Sequence, residues 1–264
     1  MRTLLPTLFG LPLLVLAAPA AWGHYNMLLP DKHSVKKGET VTFTYQFGHP
    51  FEHELFDAPE PIFLSVRMPD GKGVDLLKSI EKTTLPGAGG KKVAAYRFRF
   101  TPEQRGDYIF LLRTPAIWME EDKEFVEDTV TVWLHVQAQR SREGVGYLNA
   151  ITPLTQPYGL RPGMVFQAEL GGLKRSQEAP QPPPVEIERY NPTPPKELPP
   201  EEYITRMVRA DPNGVFTFTL TEPGWWGMTG QWQSDKKEHK GETYPVRRRA
   251  TFWVFVDKAP PPKK

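Results

Sequence analysis

The chain of 264 residues holds six histidines and no cysteine. With thiolates absent, any bound metal must be held by nitrogen, oxygen or thioether donors. One histidine, His24, follows "AAWG", in which Ala21 and Gly23 are the small residues that a signal peptidase reads. Cleavage after Gly23 makes His24 the new amino terminus. Its α-amine and ring then form one pre-linked chelate, which costs less ordering than two distant side chains. The free amine has a reference pKa of about 8, so a divalent metal displaces its proton readily near neutral pH.

A chelate needs further donors. The stretch "GHPFEHELFDAP" (Gly48 to Pro59) supplies His49 and His53 directly after a strand-like segment. Their spacing puts both rings on one side of either a helical turn or an extended strand. The same spacing also suits an ordinary surface pair. The acidic run inside "TPAIWMEEDKEFVEDT" offers Glu120, Glu121 and Asp122 as ligands or counter-charges, or as a solvated loop. His135 falls within a strand and reads as a packed or edge histidine, with ligation as the lesser alternative. Met27 reads as core rather than as a thioether donor. His33 and His239 lie among lysines and read as surface residues.

These residues must be positioned by strands. "ETVTFTYQF", "KVAAYRFRF", "DYIFLLR" and "DTVTVWLHV" alternate with period two and are rich in β-branched and aromatic residues. Turn signals such as "PDGKG" and "LPGAGG" separate them. A second set, "GMVFQAEL", "VEIERY", "GVFTFTLT" and "RRATFWVFV", follows the polar stretch "QAQRSREGVGY". The length exceeds the usual single-domain size of about 100–200 residues. The pattern predicts an all-β protein of two immunoglobulin-like β-sandwich domains in tandem, over 24–140 and 146–257. A basic tail, 258–264, ends the chain. "RGDYIF" has the look of the approach to an immunoglobulin strand F, where a tyrosine fastens a corner.

Arg2 and the apolar run Leu4 to Ala18 complete a signal peptide over 1–23. Ala18-Pro19-Ala20 is a competing cleavage site that would leave extra residues before His24. The proline-rich run from Pro180 to Pro200 reads as an extended loop and edge segment. A formal charge of +2 gives no footprint for nucleic acid. There is no G-x-S-x-G elbow, H-E-x-x-H pair or phosphate-binding glycine loop, so no enzyme is expected. In an immunoglobulin-like sandwich the first two strands run antiparallel. That places His24 at the same end as the loop of His49 and His53, and the loop before the last strand returns there with Glu120 and Glu121.

"HYNMLLP" after a signal peptide, "GHPFEHELFDAP", "YRFRFTPEQRGDY" and "DPNGVFTFTLTEPGWW" together resemble a family of bacterial periplasmic proteins. That family is a domain of unknown function associated with the periplasmic components of nickel and cobalt transport systems. The resemblance implies a periplasmic protein handling Ni²⁺ or Co²⁺, with a membrane metal-transport complex as partner. It also implies that His24, His49 and His53 are ligands. "EPGWW" reads as an aromatic turn packed on a sandwich. Nitrogen-rich ligation suits Cu²⁺ and Zn²⁺ as well. A periplasmic copper-binding protein and a metal-free envelope module are therefore the alternatives. A copper-dependent oxidative enzyme needs a second histidine held in tight geometry against the first.

Overall fold

The structure, a computed structural model, describes residues 23–120, 122–137, 151–171 and 184–258. The leader before Gly23, Glu121, nearly all of the expected linker and the tail beyond Lys258 lie outside the described residues. Within them the chain is built of strands and three single 3₁₀ turns.

In the first unit, β1 (Tyr25–Pro30), β3 (Val41–His49), β8 (Lys92–Phe100) and β7 (Glu81–Pro86) form one sheet in that order, with β4 (Glu54–Phe56) paired to β3. Facing it are β11 (Glu124–Val136), β9 (Gly106–Arg113), β5 (Phe63–Arg67) and β6 (Gly73–Asp75). The short strands β2 (Ser34–Val35) and β10 (Ile117–Met119) both pair with β11. In immunoglobulin terms these sheets are A-B-E-D and G-F-C, the order that defines that sandwich. Between them Phe43, Tyr45, Phe98, Tyr108, Phe110 and Val132 close a buried core. The expected corner is present: the Tyr108 hydroxyl accepts from Gln104 N at 2.7 Å and donates to Gln104 O at 3.1 Å.

The second unit repeats the plan. β12 (Ile151–Pro153), β13 (Met164–Leu170) and β16 (Val215–Leu220) make the smaller sheet. Opposite lie β15 (Arg206–Arg209), β14 (Pro184–Arg189), β17 (Gly224–His239) and β18 (Glu242–Val256). Their shared core holds Phe166, Phe216, Trp226, Phe252 and Val254. "DPNG" is the turn into β16, with Asp211 Oδ1 accepting from Asn213 N and Val215 N at 2.8 Å each.

The sequence reading did not anticipate how the units join. β11 and β18, the last strand of each sandwich, pair in parallel, so one ten-stranded sheet runs through both. Along β18, Phe252 and Val254 face the second core while Trp253 enters the first, where its indole donates to Asn26 O at 3.0 Å. Two expectations are corrected. "EPGWW" feeds the long strand β17 rather than a turn, its glycines and charges having hidden the period. The segment carrying "VEIER" is an interior strand, paired on both sides by β15 and β17, rather than an edge.

Candidate metal centre

Strand register explains the first contact. β1 and β3 are antiparallel with Tyr25 opposite Gly48, so one further step sets His24 opposite His49. Directly opposed side chains are near neighbours across a sheet. The rings meet with centroids 4.4 Å apart and planes inclined by 48°. Phe56 stands edge-on to both, at 5.2 Å from His24 and 5.6 Å from His49, and Phe47 lies 5.6 Å from His24. Gly48 makes this closeness possible. Its φ is +150°, and a Cβ there would lie 2.0 Å from Glu54 O, so only glycine lets β4 fold against β3 beside His49.

The main chain of His24 is fixed from the other side. Arg249 Nη1 donates to His24 O at 2.9 Å, while Nε and Nη2 hold both oxygens of Asp128 at 2.7 and 2.8 Å. Burial, then His49 and Arg249, lowers the His24 pKa to about 4. The imidazole is therefore neutral at pH 7, the state that ligates metal. Two further buried carboxylates approach from β14. Glu188 accepts from Phe51 N at 3.0 Å and Thr205 Oγ1 at 2.8 Å, and Glu186 lies two residues before it. Burial raises Glu188 to about 8 and Glu186 to about 7. Sequence reasoning missed both, along with Asp128 and Arg249. Alternate charges on a strand look solvent-facing until a second layer covers them.

The remaining candidates disperse. His53, at a left-handed φ of +54°, bonds through Nδ1 to Asn191 O at 2.9 Å and packs by Tyr190. It lines a cleft of about 890 Å³ between the outer face of β3 and the loop after β14. His135 is buried, with Nδ1 2.6 Å from Asp107 Oδ1 and its ring stacked 3.5 Å from Tyr158. Glu120 is exposed, bonding Trp118 and Lys123 out beside the β17–β18 hairpin. The loop that carries it follows that hairpin instead of bending toward His24. Asp122 is exposed, and Glu121 is outside the described residues. Met27 is fully buried and takes a long contact from Gln46 Nε2 at 3.8 Å, as a core residue does.

Two histidines read as plain surface are not. His33 stacks on Phe255 at 4.1 Å and pairs with Asp257 at 3.1 Å, while His239 stacks on Trp118 at 4.3 Å. Among the described residues, no three side chains of histidine, aspartate or glutamate stand close enough to hold a metal. What the geometry gathers is two imidazoles beside the peptide nitrogen that cleavage would turn into an amine.

By strand order the molecule is an all-β protein of two immunoglobulin-like sandwiches in tandem. The chain belongs to the family of the domain of unknown function DUF4198, whose model matches residues 21–234. No curated protein matches it. Among solved structures it is similar to native Escherichia coli alpha-2-macroglobulin, at 15% identity over 91% of this chain and 15% of that one, with a TM-score of 0.25. Dimeric latent PorU from Porphyromonas gingivalis gives 11% identity, 89% and 20% coverage and a TM-score of 0.25. A marsupial T cell receptor gives 9% identity, 91% and 74% coverage and a TM-score of 0.25. The chain thus spans a small part of the first two proteins, and the fold rests on its own strand order.

Proposed function

We propose that the protein is exported to the periplasm and there binds a divalent transition metal as a capture or delivery protein. The cross-strand pairing of His24 with His49 at the candidate amino terminus carries this reading. His24 supplies two donors, its amine and its ring, and His49 supplies a third. Phe47 and Phe56 beside the rings shield them from water, and Arg249 holds the His24 main chain in place. The family resemblance favours Ni²⁺ or Co²⁺ as cargo and a membrane transport complex as recipient.

A second reading follows from the donor count. With His53 and His135 engaged elsewhere, three nitrogens remain, and such a set ranks Cu²⁺ above Ni²⁺ and Co²⁺ on affinity alone. Calorimetry with Ni²⁺, Co²⁺, Cu²⁺ and Zn²⁺ on protein beginning at His24 tests for binding; because Cu²⁺ leads on any such nitrogen set, the metal carried by protein isolated from the native envelope separates the two. Adding one residue before His24, or making His49→Ala, should each weaken binding by about tenfold or more. His53→Ala, His135→Ala and Glu120→Gln should leave it nearly unchanged. Full affinity in the extended form, with a large loss in His135→Ala, would move the site into β11 and overturn the assignment. No binding of any of the four metals would favour a metal-free envelope module.

A further inference from the structure

Gly23 immediately precedes the candidate cleavage point, and it is buried. A Cβ built on it would lie 3.0 Å from His49 Nδ1 and 3.9 Å from Glu188 Oε2. The main chain at Gly23 thus stands against an imidazole nitrogen of the first unit, with a carboxylate of the second on the same side. Glu188 is only 1% exposed, and its hydrogen-bond donors, Phe51 N and Thr205 Oγ1, are both neutral. Glu52 and Glu186, the charged groups that act on it most, are of its own sign. A buried carboxylate in such company carries a desolvation cost that a facing cation would offset.

We infer that Gly23 plugs the metal compartment of the uncleaved chain, and that its removal opens a pocket between the His24 amine, His49 Nδ1 and Glu188, with Glu188 the anionic partner of the new amino terminus. This rests on the reading of His24 and His49 as metal donors. Hydrolysis by a signal peptidase adds one water across the Gly23–His24 bond. The leader departs with the Gly23 carboxylate, and His24 keeps the nitrogen as an ammonium. One cut therefore creates the chelating amine, vacates the space for the ion and supplies the charge that Glu188 lacks. When a metal displaces the ammonium proton, the same carboxylate faces a dication. The precursor has neither the amine nor the space, so the site assembles only after export.

The test compares two forms of the chain, one beginning at His24 and one retaining Ala21 to Gly23, each with Glu188 and with Glu188→Gln. The form from His24 keeps every described strand and both cores. Thermal melts without metal read the coupling between the new terminus and Glu188. Glu188→Gln should lower Tm by about 2–4 °C in the form beginning at His24, while leaving it unchanged or raising it in the longer form. Equal shifts in both forms would overturn the inference. Calorimetry with Ni²⁺ is the second arm: Glu188→Gln should weaken binding about tenfold in the form beginning at His24. If that form binds no metal with Glu188 intact, the metal reading fails, and the melts alone then decide whether Gly23 is a plug.

Discussion

Tyr108 is fully buried, and its hydroxyl bonds the main chain of Gln104. Tyr108→Phe leaves that turn without its partner and should cost about 1–3 kcal/mol in urea unfolding, with metal affinity unchanged. Gly48 is the opposite case, a residue whose lack of a side chain shapes the site. Gly48→Ala forces a Cβ to within 2.0 Å of Glu54 O at a φ of +150°. It should destabilise by about 1–3 kcal/mol through strain and also weaken Ni²⁺ binding, because relief requires His49 or β4 to move. Loss of stability with metal affinity intact would show that the β3–β4 contact does not position His49.

At the scale of elements, the seam between β11 and β18 matters most. Asp128 and Arg249 stand opposite each other across it, the carboxylate buried and the guanidinium half-buried. Their neighbours continue the pattern, with Arg247 on Glu124 and Arg248 on Glu127. A slip by one residue would still set Arg248 against Asp128 and Arg247 against Glu127, so the register is fixed by the alternation of Phe252, Trp253 and Val254 between the two cores, which a slip would reverse. Arg249→Met leaves the Asp128 carboxylate buried and alone, at an expected cost of about 3–5 kcal/mol. The double variant Asp128→Leu/Arg249→Met should recover most of that loss by denaturant titration. It should still weaken metal binding, because the bond to His24 O is gone.

Across the whole molecule, the shared sheet and the Trp253 indole in the first core tie the two sandwiches into one cooperative structure. Calorimetric unfolding should show a single transition, and Trp253→Ala should lower it by about 3–5 kcal/mol. Electrostatics also act globally. Glu186 and Glu188 face Arg249, Arg247, Tyr25 and Glu52, and burial lifts them from the ordinary 4.5 to about 7 and about 8. The folded state then holds protons that the unfolded state has released, so stability falls as pH rises from about 4.5 toward 8. His24, lowered from 6.5 to about 4, has the opposite effect, adding stability as pH rises through that interval. Above pH 6.5 the glutamates act without that opposition. In the chain retaining Gly23, stability should drop between pH 6.5 and 8, and Glu186→Gln/Glu188→Gln should flatten the slope. A slope that survives the double variant would assign it to other groups.

Several features were legible in the residues alone. Period-two runs located β3, β8, β9, β11, β13, β16 and the end of β18, because a half-buried strand must alternate. The corner of Tyr108 and the turn at Asp211 were readable because each uses a side chain bonded within a few residues. That His24 lies at the same end of the sandwich as His49 followed from antiparallel pairing of the strands that carry them, a local rule. Contacts between units were not legible. Glu186 and Glu188 look like the wet face of a strand, and "VRRRAT" looks like a charged surface, until the other sandwich closes over them. Nor could spacing tell His49 from His53: a φ of +54° turns His53 toward Asn191, a partner far along the chain. Sequence periodicity determines which face of a strand is apolar, because side chains alternate whatever lies beyond. Only the tertiary structure decided what covers the polar face, because that depends on how the last strands of the two sandwiches pair, and no local pattern records it.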